Sequence, residues 1–459
     1  MKKVLILGAG LVAGPAVRYL LEKSEFEVLV ADQVPEKAAE LVDGHPGGTV
    51  LTIDAGDPDV LSQYVQKADT VVSLLPWTLH PTIARLCLEH KKHLVTASYV
   101  KEEMAALNQE AKKNGLLFLN EVGVDPGLDH MSAMQIIDNV KAKGGSIKSF
   151  YSYCGGLPAL DSNNNPLGYK FSWSPEGAML AATNNGRYLD EERVIEVPGS
   201  KLFEHYWLKS IPGAGVFEAY VNRDALPYLK IYGLEHVTGM YRGTLRNVGY
   251  CETWSCLKKL GLLNRKMKFD FAEVTPREVM ANLVHSEHGD IRIHVANYLK
   301  VPVHSLTLKK LEWLGLFSEK KLPLGTVSIF EMLAYTLKQK LIYDEGEHDL
   351  LILHHEFEVE YPNKKRGRIQ STLIDTGIPG GDSSMARLVG YPVGIAARLI
   401  TEGKIPLTGV HIPVVKQIYE PILSELATMG ISFVERQPEY TEEQNYWGDW
   451  CYEDSSDSR

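Results

Sequence analysis

Residues 4–14 read VLILGAGLVAG, and this stretch sets the fold of the N-terminal part of the chain. The apolar run predicts a buried strand, and the glycines after it predict a tight turn into a helix. Gly8 permits the turn, Gly10 lets the backbone approach a pyrophosphate, and small Ala13 allows helix and strand to pack closely. A helix N-terminus then offers N–H groups to phosphate oxygens. The residues predicted to contact a dinucleotide in this stretch are Gly8, Gly10, Leu11 and Val12.

Short apolar runs alternate with helical patterns over residues 1–120. The strand-like runs are Val4–Leu7, Val28–Ala31, Val50–Ile53, Val71–Leu75, Leu94–Thr96 and Leu116–Leu119. The helical patterns between them include Ala16–Leu21, Ala38–Leu41 and Pro81–Glu89. This alternation predicts βαβ units in a parallel sheet with helices on both faces, which is a Rossmann domain.

Residues at the ends of these strands extend the predicted cofactor site. Asp32 ends the second run, where a carboxylate can bind both ribose hydroxyls and repel a 2′-phosphate. NAD is therefore expected in preference to NADP, with NADP as the alternative because Gln33 and Lys37 could accommodate a phosphate. A turn-forming role is the other interpretation of Asp32. Asp54 either meets the adenine or caps the following helix. The end of the fourth strand, on the nicotinamide side, supplies Ser73, Leu74 and Leu75.

The pattern changes after residue 145. Later segments are a strand entering a Gly/Pro/Asn-rich loop at Ser149–Cys154, short strands in 190–255, helices in 256–350, a strand at Leu350–Val359, and helices at Met385–Val389 and Val414–Met429. These patterns predict an α/β protein: an N-terminal Rossmann domain with a large inserted α+β substrate domain and a mainly helical subdomain. The expected divisions are 1–125 plus about 385–440 for the Rossmann domain, 126–255 plus about 350–384 for a substrate-binding and dimerisation domain, 256–349 for the helical subdomain and 441–459 for an acidic tail.

Composition excludes several classes of protein. The 459 residues are 44% hydrophobic and 23% charged, with a formal net charge of -10. An acidic surface repels phosphate backbones, so no nucleic-acid partner is expected. No run of about 20 apolar residues occurs, so no membrane span is expected and the cytoplasm is the expected location. The five cysteines form no CxxC pair, and no HExxH motif occurs, so neither a disulfide scaffold nor a metal site is expected.

Further segments are specific to one family. They are SLLPWTLH (73–80), VTASYV (95–100), EVGVDPGLDH (121–130) and YSYCGGLP (151–158), which continues as NPLGYKFSWS (165–174). Shorter matches are Tyr220–Asp224, Arg242–Arg246, Glu312–Gly315 and Ser384–Ala386. Together they resemble the saccharopine dehydrogenase (glutamate-forming) family, also called saccharopine reductase, from the first strand to about residue 435.

The resemblance implies an oxidoreductase of lysine metabolism that acts on the CH–NH group of its donor. It would interconvert saccharopine with L-glutamate and 2-aminoadipate 6-semialdehyde by hydride transfer to or from a nicotinamide dinucleotide. It also implies a three-part architecture and a homodimer. One departure concerns the cofactor, because fungal relatives carry Cys-Arg after the second strand and use NADP, whereas this chain has Asp32-Gln33. The chain begins at Met1, so a separate enzyme is expected rather than a fusion with a lysine-ketoglutarate reductase.

The resemblance also assigns residues to the site. The implied substrate contacts are Ser98, Tyr99, Asp125, Cys154, Arg223, Thr244, Leu245 and Arg246, and the cofactor site gains Val124 and Ser174. A substrate with three carboxylates needs several cations, and the guanidinium fork of an arginine matches a carboxylate. Arg242 either contributes to this site or only anchors its loop.

The implied reaction requires a residue that accepts a proton from the substrate. Hydride leaves a carbon next to nitrogen, so a secondary amine, which is mostly protonated at pH 7, must first lose its proton. Asp125 and Tyr99 are the expected catalytic residues, with a turn before Pro126 and simple packing as their alternatives. Lys170 and His130 are weaker candidates. Cys154 is expected to form a pocket wall, because no base adjoins it in sequence.

Two other functions stay open. A related dehydrogenase of the carboxynorspermidine or lysine 6-dehydrogenase type would lack the full YSYCGGLP and FSWS combination. A non-catalytic dinucleotide-binding sensor would not need paired arginines in the second domain. Formation of reduced cofactor with saccharopine would discriminate among the three.

Overall fold

The computed structural model describes residues 1–286, 288–362 and 365–438. Its N-terminal part alternates strands and helices, as the hydrophobic pattern predicts. The strands are β1 (Lys2–Leu7), β2 (Phe26–Asp32), β3 (Gly48–Thr52), β4 (Thr70–Ser73), β5 (His93–Thr96) and β6 (Leu117–Leu119). The helices are α1 (Gly14–Leu21), α2 (Pro35–Val42), α3 (Pro58–Lys67), α4 (His80–His90), α5 (Glu102–Ala105) and α6 (Asn108–Lys113).

The middle of the chain is richer in antiparallel strands and in helices outside any βαβ unit. Its strands are β7 (Ser146–Pro158), β8 (Gly186–Asp190), β9 (Arg193–Val197), β10 (Tyr206–Ile211), β11 (Gly215–Val221), β12 (Gly239–Arg246), β13 (Lys268–Asp270), β14 (Thr326–Ser328), β15 (Asp349–Glu360) and β16 (Arg366–Thr376). Its helices are α7 (Leu128–Ala142), α8 (Pro175–Ala181), α9 (Pro227–Ile231), α10 (Tyr250–Lys259), α11 (Pro276–Leu283), α12 (Ile291–Leu299), α13 (Leu306–Trp313) and α14 (Ile329–Lys340). The last elements are α15 (Ser384–Thr401), β17 (Gly409–His411), α16 (Lys416–Thr428) and β18 (Val434–Arg436).

The first sheet is parallel and has the strand order β17-β6-β5-β4-β1-β2-β3. The order reverses beside β1, which is the point where ligands bind in doubly wound sheets. The chain returns to this sheet late, because Gly409–His411 pairs with Leu117–Leu119. The helix α15 packs against α1, so the return also covers one face of the sheet. The predicted Rossmann architecture is confirmed.

The second sheet is mixed and has the path β10-β11-β12-β7-β15-β16-β18, with β8 added beside β12 and β9 beside β8. Its strand β7 differs from the expectation of a strand that stops at Cys154, because it continues to Pro158 through two glycines. A Cβ on Gly155 would lie 2.8 Å from Leu245 Cβ, and one on Gly156 would lie 2.9 Å from Met385 Cε. The glycines therefore allow close packing within a strand rather than a turn.

The C-terminal segment contains one departure from the expected divisions. The pattern predicts that about 385–440 belong to the Rossmann domain, but β18 pairs with Gln370–Thr372 of β16 in the second sheet. A three-residue strand carries too little pattern to show which sheet it joins. The expected acidic tail, 441–459, lies outside the described residues. In the part of the chain that the structure describes, no helix is long and apolar enough to span a bilayer.

Candidate active site

The glycine turn after β1 fits the pyrophosphate of a dinucleotide. Gly8 has φ +100°, a left-handed conformation that favours glycine, and a Cβ there would lie 3.1 Å from Leu74 O. A Cβ on Gly10 would meet no described atom within 4 Å. The backbone at Gly10 is therefore open to a ligand. Val12 is half-buried and Leu11 exposed, and α1 begins just beyond them.

The carboxylate of Asp32 stands beside this turn. Its Oδ2 accepts a hydrogen bond from Ala9 N at 2.8 Å, and its Oδ1 accepts one from Val34 N at 2.9 Å. Asp32 therefore makes the local turn that was the alternative interpretation, and it does so at the edge where a ribose would lie. A role in the turn and a role in cofactor selection are compatible, because a carboxylate has about four acceptor sites.

The helix-capping role considered for Asp54 is wrong. The N-cap of α3 is Asp57, whose Oδ1 accepts from Asp59 N at 3.0 Å and Val60 N at 3.2 Å. Asp57 directly precedes the first helical turn, whereas Asp54 lies too far upstream to reach its amides. Asp54 Oδ1 instead accepts from Gly56 N at 2.8 Å and from Gln33 Nε2 at 2.9 Å. This second bond ties the ends of β2 and β3 together, and an adenine contact by Asp54 stays a prediction.

The ends of β4 and β5 converge on a histidine that sequence reasoning did not select. Ser73 Oγ lies 2.9 Å from His80 Nδ1, and Ser98 Oγ lies 2.8 Å from His80 Nε2. Leu74 and Leu75 line the other side of this edge, against the Gly8 turn. His80 was part of the family-specific segment SLLPWTLH, so its position was visible, but nothing local showed its partners.

The structure brings Tyr99 and Asp125 together, as the acid/base hypothesis requires. Asp125 Oδ1 accepts from Tyr99 OH at 3.1 Å, and Asp125 Oδ2 accepts from Asn222 Nδ2 at 2.9 Å. Arg242 forms an ion pair with Asp125 and a second one with Asp129 Oδ2 at 2.7 Å. Asn222 and Asp129 were not predicted, because their side chains meet Asp125 and Arg242 only through the tertiary fold.

Burial shapes the protonation of this cluster. It raises the pKa of Asp125 above its ordinary value; the Arg242 guanidinium opposes this shift, and the Asp129 carboxylate adds to it. Burial also raises the pKa of the Tyr99 phenol well above its usual value, so the phenol is neutral at pH 7. Asp125 is consequently a better proton acceptor than an exposed aspartate, and Tyr99 is a hydrogen-bond donor to it.

Of the three arginines predicted near the substrate, Arg242 forms ion pairs with carboxylates, whereas Arg223 and Arg246 do not within the described part of the chain. Arg242 is buried against Asp125 and Asp129, so it serves as an anchor of the cluster. Among the described residues, neither Arg223 nor Arg246 forms an ion pair with a carboxylate. Arg223 lies over the Tyr99 ring, with its guanidinium carbon 5.2 Å from the ring centroid.

Of Arg223 and Arg246, Arg246 is the more deeply buried, so the lack of a carboxylate partner among the described residues is more costly for it. It is 8% exposed, and its guanidinium carbon lies 5.0 Å from the Tyr169 ring centroid and 5.4 Å from that of Tyr250. Nη1 donates to Leu245 O at 2.8 Å, and Nε has no hydrogen-bond partner among the described residues. A buried cation without a counter-ion is costly, so this arrangement indicates that a ligand supplies the negative charge.

Three other implied substrate residues lie on or beside β12. Thr244 pairs in register with Cys154 of β7, and both lie between the Arg242 and Arg246 positions. Burial raises the pKa of the Cys154 thiol well above its usual value, which suits a neutral pocket wall and not a nucleophile. The side chain of Leu245 is fully buried at the Gly155 contact, on the opposite face of the strand. Leu245 can therefore reach a ligand only with backbone atoms.

The two weaker candidates for proton transfer, His130 and Lys170, bind partners outside the Asp125 cluster. His130 is fully buried, with Nε2 2.8 Å from Glu121 Oε2 and Nδ1 2.5 Å from Tyr232 OH. Lys170 is buried in an ion pair with Glu347. Both pairings are those of structural groups, so neither residue offers a free proton acceptor to the Asp125 cluster.

The last two predicted cofactor contacts have structural roles of their own. Ser174 caps α8, where its Oγ accepts from Gly177 N at 3.1 Å. Val124 is buried, and its carbonyl accepts from Asp129 N at 3.0 Å at the start of α7. Contact of either residue with a cofactor stays a prediction.

A cleft of about 730 Å³ opens between the two sheets. Tyr99 and His411 line it from the first sheet, and Arg223, Tyr228 and Arg242 line it from the second. Its size suits a small molecule, and its position at the carboxyl ends of β5, β6 and β17 is where α/β sheets bind ligands. A small molecule in the cleft would contact Tyr99, whose hydroxyl donates to Asp125.

Two family models and several known proteins match almost the whole of this chain. Residues 4–119 match the family described as "Saccharopine dehydrogenase NADP binding domain", and residues 123–431 match "Saccharopine dehydrogenase C-terminal domain". Saccharopine dehydrogenase [NADP(+), L-glutamate-forming] of Schizosaccharomyces pombe is 37% identical over 446 residues, which cover 95% of this chain and 99% of that protein. Alpha-aminoadipic semialdehyde synthase of Arabidopsis thaliana is 35% identical over 94% of this chain and 44% of that protein.

A solved structure extends the similarity to three dimensions. Apo saccharopine dehydrogenase (L-Glu forming) from Saccharomyces cerevisiae superimposes with a TM-score of 0.87 at 32% identity, over 96% of this chain and 100% of the other. The similarity therefore covers both sheets and the cleft between them, not the Rossmann part alone. The chain belongs to the saccharopine dehydrogenase family.

Proposed function

We propose that this chain is an oxidoreductase that interconverts saccharopine with L-glutamate and 2-aminoadipate 6-semialdehyde. The observation that carries the proposal is the pair of arginines without a carboxylate partner among the described residues, Arg223 and Arg246. Arg223 adjoins Asn222, whose N–H donates to Arg242 O at 2.7 Å. Arg246 lies four residues beyond Arg242 along β12, which is about 13 Å at the usual rise of a strand. Two separated cations fit an elongated substrate with carboxylates at both ends.

The chain's own residues account for proton transfer. Asp125 accepts the proton of the substrate's secondary amine, and the lone pair that is freed allows hydride to leave the adjacent carbon. The Gly8 turn would hold a nicotinamide dinucleotide, whose chemistry would be to accept that hydride in one direction and to donate it in the other. Tyr99 and Asn222 hold the Asp125 carboxylate by hydrogen bonds, and Arg242 holds it by charge. Water then adds to the carbon–nitrogen double bond and releases glutamate and the semialdehyde.

The test is an assay of reduced nicotinamide during incubation of the purified protein with saccharopine and each dinucleotide. The proposal expects reduced cofactor to form with saccharopine. Oxidation of lysine or carboxynorspermidine in its place would favour a related dehydrogenase. Binding of a dinucleotide without oxidation of any of these amines would favour a sensor.

The cofactor preference proposed for this chain is NAD over NADP. The names of its fungal relatives specify NADP(+), and so does the description of the matched N-terminal family. The support for NAD is the Asp32 carboxylate at the end of β2, beside the glycine turn. A negative charge in that place attracts ribose hydroxyls and repels a 2′-phosphate.

Replacing Asp32 with Ala should narrow the preference for NAD, because it removes the charge that repels the 2′-phosphate. The ratio of kcat/KM for NAD to that for NADP is the measurement, at fixed saccharopine. Asp57→Ala is the matched control, since Asp57 is a carboxylate of the same domain that caps α3, and its loss should leave the ratio unchanged. Equal or better use of NADP by the unmodified protein would contradict the preference.

The assembly and the location are also proposals. The family resemblance supports a homodimer, with the second sheet contributing to the interface, and the cytoplasm is the location proposed from the sequence. Analytical ultracentrifugation of the purified chain tests the dimer, and fractionation of the source cells tests the location. The proposed domain divisions, at about 125 and 385, can be tested by native-state hydrogen exchange, in which the parts should lose protection at different denaturant concentrations if they unfold separately.

A further inference from the structure

His80 is the first residue of α4 and connects two strand ends. The residue is 4% exposed, and its ring lies between β4 and β5. Nδ1 lies 2.9 Å from Ser73 Oγ, while Nε2 lies 2.8 Å from Ser98 Oγ and 3.1 Å from Thr96 Oγ1. One imidazole therefore joins the strand end proposed to meet the nicotinamide to the strand end proposed to meet the substrate.

The charge state of the ring limits what it can donate. Burial lowers the pKa of His80 to about 4, so the imidazole is neutral at pH 7. A neutral imidazole has one N–H donor and one acceptor nitrogen. Two hydroxyl oxygens face Nε2 and one faces Nδ1, and a single N–H can be shared between two oxygens more readily than a single lone pair can accept two O–H groups. The proton is therefore better placed on Nε2, with Nδ1 accepting from Ser73.

This tautomer decides what the Ser98 hydroxyl can do. When Nε2–H donates to Ser98 Oγ, the hydroxyl proton of Ser98 is left to donate to a ligand. In the other tautomer, Nε2 carries no proton, and the Ser98 hydroxyl would donate its own proton to Nε2 instead. Ser98 is half-buried and immediately precedes Tyr99, which lines the cleft, so a hydroxyl proton directed away from the ring is available to a ligand near the cleft.

We propose that His80 is a positioning residue that orients the Ser98 hydroxyl to donate to a carboxylate of the substrate. The inference rests on the proposed function. His80 touches neither substrate nor cofactor, and it acts through Ser98. Its loss should weaken substrate binding and leave the proton transfer at Asp125 in place.

A double-mutant cycle tests whether the effect passes through Ser98. His80→Leu should raise the KM for saccharopine about 5- to 10-fold and change turnover little, because the Ser98 hydroxyl loses its fixed orientation but can still donate to the carboxylate. Ser98→Ala should raise KM similarly. In the Ser98→Ala background, His80→Leu should add less than about 2-fold, since the group that it orients is already gone. A full effect in that background would overturn the inference.

Two polar variants keep the test valid if His80→Leu fails to fold. Gln at position 80 can place an amide N–H where Nε2 was, whereas Asn reaches only to the Nδ1 position. His80→Gln should therefore retain nearly the normal KM for saccharopine, and His80→Asn should raise it about 5- to 10-fold. Equal KM values for the two variants would overturn the proposal. Saccharopine oxidation by the unmodified protein is measured first, and its absence would overturn the proposed function and this inference together. If oxidation is normal but the effects of the His80 and Ser98 substitutions simply add, only this inference is rejected.

Discussion

Replacing Asp125 with Asn should lower turnover of saccharopine by about 10²- to 10⁴-fold, the usual contribution of a positioned acid or base. The amide keeps the shape of the carboxylate and most of its hydrogen bonds, but it cannot accept the amine proton. Arg242 retains its ion pair with Asp129, so the buried guanidinium is not left without a counter-charge. Cofactor binding should hardly change, because the proposed phosphate site is the glycine turn after β1, which Asp125 does not contact.

Three measurements together separate the possible roles of Asp125. If the residue only binds the substrate ammonium, KM rises and turnover is nearly unchanged. If it only stabilises the turn before Pro126, the melting temperature falls and little active protein is recovered. Asp129→Asn is a matched control, because it removes the other carboxylate that pairs with Arg242 and should lower turnover far less. Near-normal turnover in folded Asp125→Asn would exclude the acid/base role and direct attention to Tyr99.

The pH dependence of turnover follows from the same cluster. Asp125 must be deprotonated to accept a proton, and burial raises its pKa above the ordinary value. Turnover should therefore fall as the pH decreases through this raised pKa, at a higher pH than an exposed aspartate would give. The profile of kcat/KM reports groups of the free enzyme, so this acidic limb should appear there and should disappear in Asp125→Asn. A limb that persists unchanged in the variant would belong to another group.

Replacing Arg246 with Ala should raise the KM for saccharopine by about 10- to 150-fold, which corresponds to the loss of about 1.5–3 kcal/mol from one charge-assisted contact. The effect is large because Arg246 is buried and has no carboxylate partner among the described residues. The KM for the dinucleotide should change little. Initial rates measured while each substrate is varied in turn give both constants.

Arg246→Lys provides the matched comparison. Lysine keeps the positive charge but loses the planar fork that can bind a carboxylate through two N–H groups, so its KM should lie between those of the unmodified protein and the alanine variant. Equal KM values for the lysine and alanine variants would show that the fork, and not the charge, carries the contact. An unchanged KM for saccharopine in Arg246→Ala would place the residue outside the site.

Local features of the sequence were sufficient for the Rossmann part. Strand and helix periodicity depends on neighbouring residues, and the turn at Gly8 depends on the backbone freedom of glycine, so both can be seen before folding. Family-specific segments also identified Tyr99 and Asp125, which the structure brings to 3.1 Å from each other. Tyr99 follows the end of β5 and Asp125 lies in the segment after β6, and the carboxyl ends of parallel strands meet at one edge of a sheet.

The partners of these residues were decided only by the tertiary structure. Arg242 pairs with Asp125 across 117 positions of sequence, and Asn222 reaches the same carboxylate across 97. Such pairings depend on how β11 and β12 of the second sheet meet the first sheet, and no local periodicity encodes that placement. The same reason explains why the three hydroxyls around His80 were not foreseen. Sequence by itself thus determined which residue types stand at the strand ends; long-range packing determined which of them are paired, and so which arginines are left for a substrate.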